Sequence, residues 1–516
     1  MSEVKRNQSR ATPACDGTRS RPDPGVAIRA YANTIAALVL IIALFKLALL
    51  GSASSGTEII VVTVGLLSSF IVLAALAFKC IRIGSALIWT PIVWLPLQSA
   101  VFFCFGPLVE IFGNPATQAS LSERRLAIGA GELLETSMLS MAGVAMLLSG
   151  VTIVLYIRRS RLRDLISQGV GTAPGAPSPW QLTVTFVLMG VVLKYAVVLP
   201  SQWGMLGWVV PGTVTGLIGM TDLGFGIAAF LAARRHRLAR IMLFTVWPIH
   251  IAMTVLTFSK FQLVIALLLP ALGGYLAHRS LLRLIGWFAI IAVVFAGSQS
   301  LVQHGRSEIM QRSSNISDAG YVERAQITLD WLTRESGQTE DTSDRQGWWT
   351  RLSYAGPQAY AMELYAQGQA GRSLESAWMY FIPRAVWPSK PIMYGPGLEF
   401  YKEVTGSKGK SFLGLSIYGD LYWQYGWSGV LIGSSLIGIL FGVLALRSLT
   451  WISAGEFIYL PVILLVLEMA LTGPTKYVVN GIVGPIPIYV GYCVFVWWLV
   501  RVVRRHQATK VRGQFV

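Results

Sequence analysis

Charge is scarce in this chain. Only 13% of its 516 residues are Asp, Glu, Lys or Arg and 54% are hydrophobic, whereas a soluble domain is about a quarter charged. That balance excludes an ordinary soluble globule and points to an integral membrane protein. Cysteine is equally sparse. Cys15, Cys80, Cys104 and Cys493 form no CxxC pair and lie in the N-terminal tail or in and beside apolar runs, which excludes a disulfide framework and a zinc ribbon. No Walker sequence or dinucleotide fingerprint occurs, so neither ATP nor a nicotinamide has a site, and no cofactor is called for. Internal repeats are missing too: the first six apolar runs do not resemble the last six, which argues against a transporter built from two equal halves.

What is present is long apolar sequence. A helix crosses roughly 30 Å of hydrocarbon with about 20 mainly apolar residues. By that measure the chain has about twelve transmembrane helices, near residues 31–50, 58–78, 84–106, 136–157, 180–199, 212–232, 240–258, 261–277, 282–300, 428–446, 456–474 and 482–501. The fold class is therefore an all-α polytopic membrane protein. The basic N-terminal segment precedes a full-length span rather than a short cleavable one, so it reads as a retained, disordered tail.

The formal charge is +17, and its placement decides its meaning. Alternate short connections carry Lys79 and Arg82, then Arg158, Arg159, Arg161 and Arg163, then Arg234, Arg235, Arg237 and Arg240, then Arg279 and Arg283, then Arg447. The opposite connections hold only Arg124, Arg125, Lys260 and Lys476. The positive-inside rule then predicts cytoplasmic termini and puts one large loop, residues 301–412, on the outer face. That loop carries twelve cations and twelve carboxylates, so the excess charge is a retention signal and no nucleic-acid partner is indicated.

The expected organisation is a basic cytoplasmic tail (1–30), nine spans (31–300), the partly helical outer loop (301–412), three spans (413–502) and a basic tail (503–516). Within the loop, apolar residues at helical spacing predict helices over 321–335 and 351–369. A third, short one is expected at 373–381, ended by Pro383. The polar stretch 336–347 and the Gly/Lys-rich stretch 402–414 read as flexible links.

The loop contains FIPRAVWPSKP, residues 381–391. Pro383, Pro388 and Pro391 fix the backbone and so aim Arg384 and Lys390, while Trp387 suits a bilayer interface. Two positioned cations at headgroup depth suit a phosphate or diphosphate, Arg by its planar fork and Lys as a point charge. Ordinary snorkelling of both to headgroups is the alternative. This PR-x-x-WP-x-KP signature is followed by SIYGDLYWQYGWSG, residues 416–429. Together they resemble the bacterial O-antigen and exopolysaccharide repeat-unit polymerases, the Wzy-type family, over residues 345–445.

The resemblance implies a GT-C-like membrane glycosyltransferase that polymerises undecaprenyl-diphosphate-linked oligosaccharide repeat units into a surface polysaccharide, with a chain-length regulator and a flippase as partners. A ligase of the O-antigen type, a lipid-linked oligosaccharide flippase and a secondary transporter are the competing functions. The transfer needs fixed positive charge where the diphosphate departs. Arg384 and Lys390 come first for that role, then Arg351 and Arg306, with Lys476 joining from the end of the eleventh span. A base must reach the acceptor hydroxyl. Asp420 is the leading candidate, with Glu399 and His304 as alternatives, and Asp420 is also placed to cap the tenth helix. Trp387, Tyr394, Tyr418 and Tyr422 are candidate sugar platforms, or else an interfacial aromatic belt. The first outer loop, GSASSGTE, has no acidic pair and no outer loop has Asp-x-Asp, so a metal-independent transfer is expected.

Lys194, Asp222 and Glu468 fall inside spans, where a charge costs about 2.5 to 3.5 kcal/mol or more at the centre. They must face a partner or a cavity, and Lys194 with Asp222, from adjacent spans, is the expected ion pair. Gly429 with Gly433 and Gly438 with Gly442 recur at four-residue spacing, which lets helices approach closely within the bundle.

Overall fold

The computed structural model describes residues 23–51, 55–123, 126–168, 178–206, 208, 210, 214, 216–312, 319–333, 349–382, 386–387, 389–390, 396–406 and 413–512. Among these there is no strand, and twelve helices are long and apolar enough to cross a membrane. The protein is an all-α, multi-pass membrane protein. In order, the spans are Gly25–Leu50, Gly56–Ile83, Pro91–Phe112, Ala130–Ile157, Pro179–Gln202, Gly216–Ala233, Arg237–Val255, Lys260–His278, Leu281–Arg312, Ser416–Ala454, Phe457–Thr475 and Val479–Trp498. Twelve crossings return the chain to the end of the bundle from which it started. That end is called the tail end below, and the opposite one, bearing the long polar segment between spans 9 and 10, the loop end.

Several boundaries differ from the sequence expectation, each for a local reason. The first helix begins at Pro24, because Asp23 caps it by accepting from the Gly25 amide and proline is preformed for the first turn. The last helix runs on to Arg512, into the expected C-terminal tail. Span 9 continues as one helix to Arg312, so His304 and Arg306 stand on a helix that extends beyond the apolar run rather than in a loop. Span 10 starts at Ser416, twelve residues early, because SIYGDLYWQYGWS is itself helical. A kink at Gly426 (φ 60°, ψ −150°) joins it to the apolar part. A side chain there would be strained and would meet the Tyr365 ring.

Between spans 9 and 10 the described helices are Tyr321–Thr333, Ala355–Ala366 and Pro396–Thr405, with a 3₁₀ helix at Ser373–Phe381. The stretch 336–347, residues 407–412 of the second expected link, and the N-terminal tail to residue 22 lie outside the described residues.

Spans 1 to 4 pack with spans 10 and 11, and span 6 sits among spans 5, 7, 8 and 11. Spans 4 and 10 make the most extensive contact, and glycine permits it. A Cβ on Gly438 would fall onto the Leu147 carbonyl, one on Gly150 onto the Ser435 carbonyl, and one on Gly442 against Val154. Gly429 and Gly433 instead meet Leu421 of their own helical segment. With no hydrophobic drive between helices in lipid, this close fit is what holds the two spans together. Gly438→Leu should therefore cost at least about 2 kcal/mol of stability. Gly286→Leu, where an added Cβ has nothing within 4 Å, should be tolerated. Thermal unfolding midpoints of the two variants in detergent check this.

Candidate functional site at the loop end

The chain between Trp349 and Ser428 is anchored to the bundle by polar contacts that the membrane spans cannot make with lipid. The Trp349 indole donates to the Phe105 carbonyl (3.0 Å) and stacks on the Phe105 ring (5.2 Å, 16°). Ser353 donates to Glu110 (3.2 Å). Gln358, 1% exposed, accepts from Ser140 of span 4 (2.9 Å) and donates to Ser416 of span 10 (2.8 Å).

Asp420 completes this framework. It is fully enclosed, and both carboxylate oxygens are occupied. Oδ1 accepts from Ser373 Oγ (3.1 Å) and Gln424 Nε2 (2.7 Å), and Oδ2 from the Val478 amide (2.8 Å). Gln424 turns its own oxygen to the Leu374 amide (3.0 Å). One carboxylate thus fastens the start of the 3₁₀ helix, the first turns of span 10 and the start of span 12. Its position is that of a joint between three chain segments.

Of the FIPRAVWPSKP stretch, the three prolines, Arg384 and Ala385 lie outside the described residues, as does Tyr394. Two of its described side chains make local contacts. Trp387 donates to Ser389 (3.1 Å) and stacks on Trp378 (6.0 Å, 15°). Lys390 Nζ donates to the Ile382 carbonyl (3.1 Å) and stands over the Tyr380 ring (5.9 Å). Tyr380 in turn donates to Asn480 Oδ1 (2.8 Å), four residues beyond Lys476. The structure therefore brings Lys390 and the connection bearing Lys476 to one corner. Lys476 exposes more than a third of its surface at the end of span 11. That partial burial pulls its pKa below the ordinary lysine value, opposed by nearby Glu468.

The other sequence candidates are dispersed. Arg351 is exposed on the turn Thr350–Leu352. Glu399 is exposed on Pro396–Thr405. Arg306 donates from Nε to the Phe258 carbonyl (3.0 Å) and His304 is half-buried. Both belong with a separate cluster around Phe258, Val302 and Ile327. Tyr418 is a core residue, edge-on to Phe103 (4.9 Å) and fully enclosed. Tyr422 is half-buried between Tyr365 (5.4 Å) and Trp427 (5.6 Å).

A second polar centre lies within the spans. Lys194 and Asp222 form the expected pair (3.8 Å, both buried). A third partner, His250 of span 7, was not foreseen: its Nε2 lies 2.7 Å from Asp222 Oδ1 and its Nδ1 2.8 Å from the Tyr195 hydroxyl. The sequence signal for it was an ionisable residue inside a span. Above this centre sits the helix Tyr321–Thr333. Tyr321 donates to the Tyr195 carbonyl, and buried Arg324 donates to the Ala319 (2.9 Å) and Leu256 (3.4 Å) carbonyls, lying over the Trp203 ring (4.2 Å). Burial lowers the Arg324 pKa to about 10, so the guanidinium remains charged at neutral pH. Gln358 and Arg324 carried no sequence signal, since each is ordinary in a polar segment until packing encloses it.

No protein-family model, curated protein or solved structure matched the chain. What the coordinates define is the class: a helical multi-pass membrane protein with a structured polar assembly at one end.

Asp420→Ala leaves the Val478 amide, Ser373 and Gln424 short of an acceptor, and should lower stability by about 3 kcal/mol. The thermal midpoint of the purified variant measures this, and a midpoint equal to wild type would sink the assignment of Asp420 as a joint.

Proposed function

We propose that the chain is a polysaccharide polymerase, joining undecaprenyl-diphosphate-linked oligosaccharide repeat units on the outer face of a bacterial cytoplasmic membrane, with the loop end outward and both termini in the cytoplasm. The observation that carries this reading is the convergence of Lys390 and the Lys476 connection through Tyr380 and Asn480. It puts Lys390 and the connection that carries Lys476, 86 positions apart in the chain, on one side of the loop end, where their charges can act on one anion. In the reaction a hydroxyl of one lipid-linked unit attacks the anomeric carbon of a chain carried by a second. The bond from that carbon to the diphosphate breaks, and its electron pair leaves with the diphosphate. Fixed cations stabilise that developing charge, and Arg384 supplies the planar fork that a lysine lacks. Asp420 contributes by holding the 3₁₀ helix and span 10 in register.

A second reading, a proton- or ion-coupled transporter of the same lipid, is favoured by one observation, the Lys194–Asp222–His250 centre inside the spans.

Purified protein in nanodiscs, given a lipid-diphosphate-linked repeat unit, should produce a ladder of lengthened glycans. Lys390→Ala, Lys476→Ala and Arg384→Ala should each slow chain growth at least about tenfold while the protein still inserts and elutes as a single species. A single addition without a ladder would indicate a ligase. No addition, with lipid crossing the bilayer, would favour the transporter and remove the polymerase.

A further inference from the structure

Glu468 is a carboxylate within span 11 to which no described side chain donates a hydrogen bond; Thr472 Oγ1 donates to its backbone carbonyl (3.0 Å), not to the carboxylate. It is nonetheless partly exposed, as are Thr472, one turn further along the helix, and Thr475, in the 3₁₀ turn Gly473–Thr475 that ends the span. Thr475 Oγ1 turns back to the Thr472 carbonyl (2.8 Å). Lys476 follows directly at the loop end, in extended backbone (φ −114°, ψ 173°) just past that turn. The carboxylate lies against Gly219 of span 6 and within electrostatic reach of Lys476, Asp222 and the Tyr492 hydroxyl. Asp222 is itself engaged by Lys194 and His250, which leaves Lys476 as the cation facing Glu468. An ionisable group held inside the bundle with no hydrogen bond donated to its carboxylate is placed to exchange a proton. Asp420 is placed otherwise, with both oxygens occupied and no exposed surface.

We infer that Glu468 is the general base of the glycosyl transfer, set in span 11 on the tail-end side of Lys476. This rests on the polymerase reading. The acceptor hydroxyl gives its proton to the Glu468 carboxylate as its oxygen bonds to the anomeric carbon, and the diphosphate leaves toward Lys476 with the electron pair of the broken bond. One proton and one leaving group are thereby accounted for, with no further reactant.

The test uses full-length protein in nanodiscs, undecaprenyl diphosphate as the binding probe and lipid-diphosphate-linked oligosaccharide from the producing cell as substrate. Glu468→Gln should slow single-turnover transfer at least 100-fold while binding of undecaprenyl diphosphate stays within twofold. Glu468→Asp should recover part of the rate. The acid-side fall of the wild-type rate should vanish in whatever activity the glutamine variant retains. Should the glutamine variant not fold, the aspartate variant and the wild-type pH profile carry the test: a wild-type rate that does not fall in acid overturns the inference. So does a glutamine variant that builds the ladder at the wild-type rate, or one whose loss is all in binding, and in both the polymerase reading stands. A wild-type protein that builds no ladder overturns both.

Discussion

The enclosed carboxylate of Asp420 is the contact on which the loop end depends. A membrane bundle can hold its spans together by close packing alone, but a polar segment resting on it needs directional bonds to be fixed in place. Asp420 supplies acceptors to the 3₁₀ helix through Ser373, to its own helix through Gln424 and to the start of span 12 through Val478. Buried with all its donors in place, it satisfies them as well as it is satisfied. The proline-rich segment, Tyr380 and Lys390 all follow directly from the 3₁₀ helix that this joint secures.

Beneath it, the bundle is organised by two different answers to the problem of apolar surroundings. Spans 4 and 10 approach until backbone meets backbone, which glycine at 150 and 438 allows. Spans 5, 6 and 7 are linked through Asp222, which pairs with Lys194 and is hydrogen-bonded to His250. The first arrangement sets geometry without chemistry. The second places ionisable groups within the spans, and Glu468 lies at its edge with no hydrogen bond to its carboxylate from a described side chain.

Sequence reasoning was strongest where a single local property decides structure. Apolar length located twelve spans, and the in-span positions of Lys194 and Asp222 were enough to expect their pairing. It was weaker at helix ends. The Ser416–Ser428 segment contains Gly, Asp and three polar residues, yet it is helical because the bundle and the Ala355–Ala366 helix enclose it. The functional reading of Asp420 shifted for the same reason. A Tyr-Gly-Asp step beside a span looks like an accessible carboxylate until Ser373, Gln424 and Val478, distant in sequence, are seen to surround it. His250 and Gln358 gained their significance from partners 28 and 58 residues away.

The sequence by itself determined the class of protein, since the cost of burying backbone and charge in lipid forces long apolar runs into helices whatever their neighbours. It also set aside the cationic, proline-fixed segment as the place to look for chemistry. Only the tertiary structure decided which ionisable groups are enclosed and which are open, because that depends on which helices meet. Asp420 proved saturated and Glu468 accessible, a distinction between two carboxylates that no local property of either residue could make.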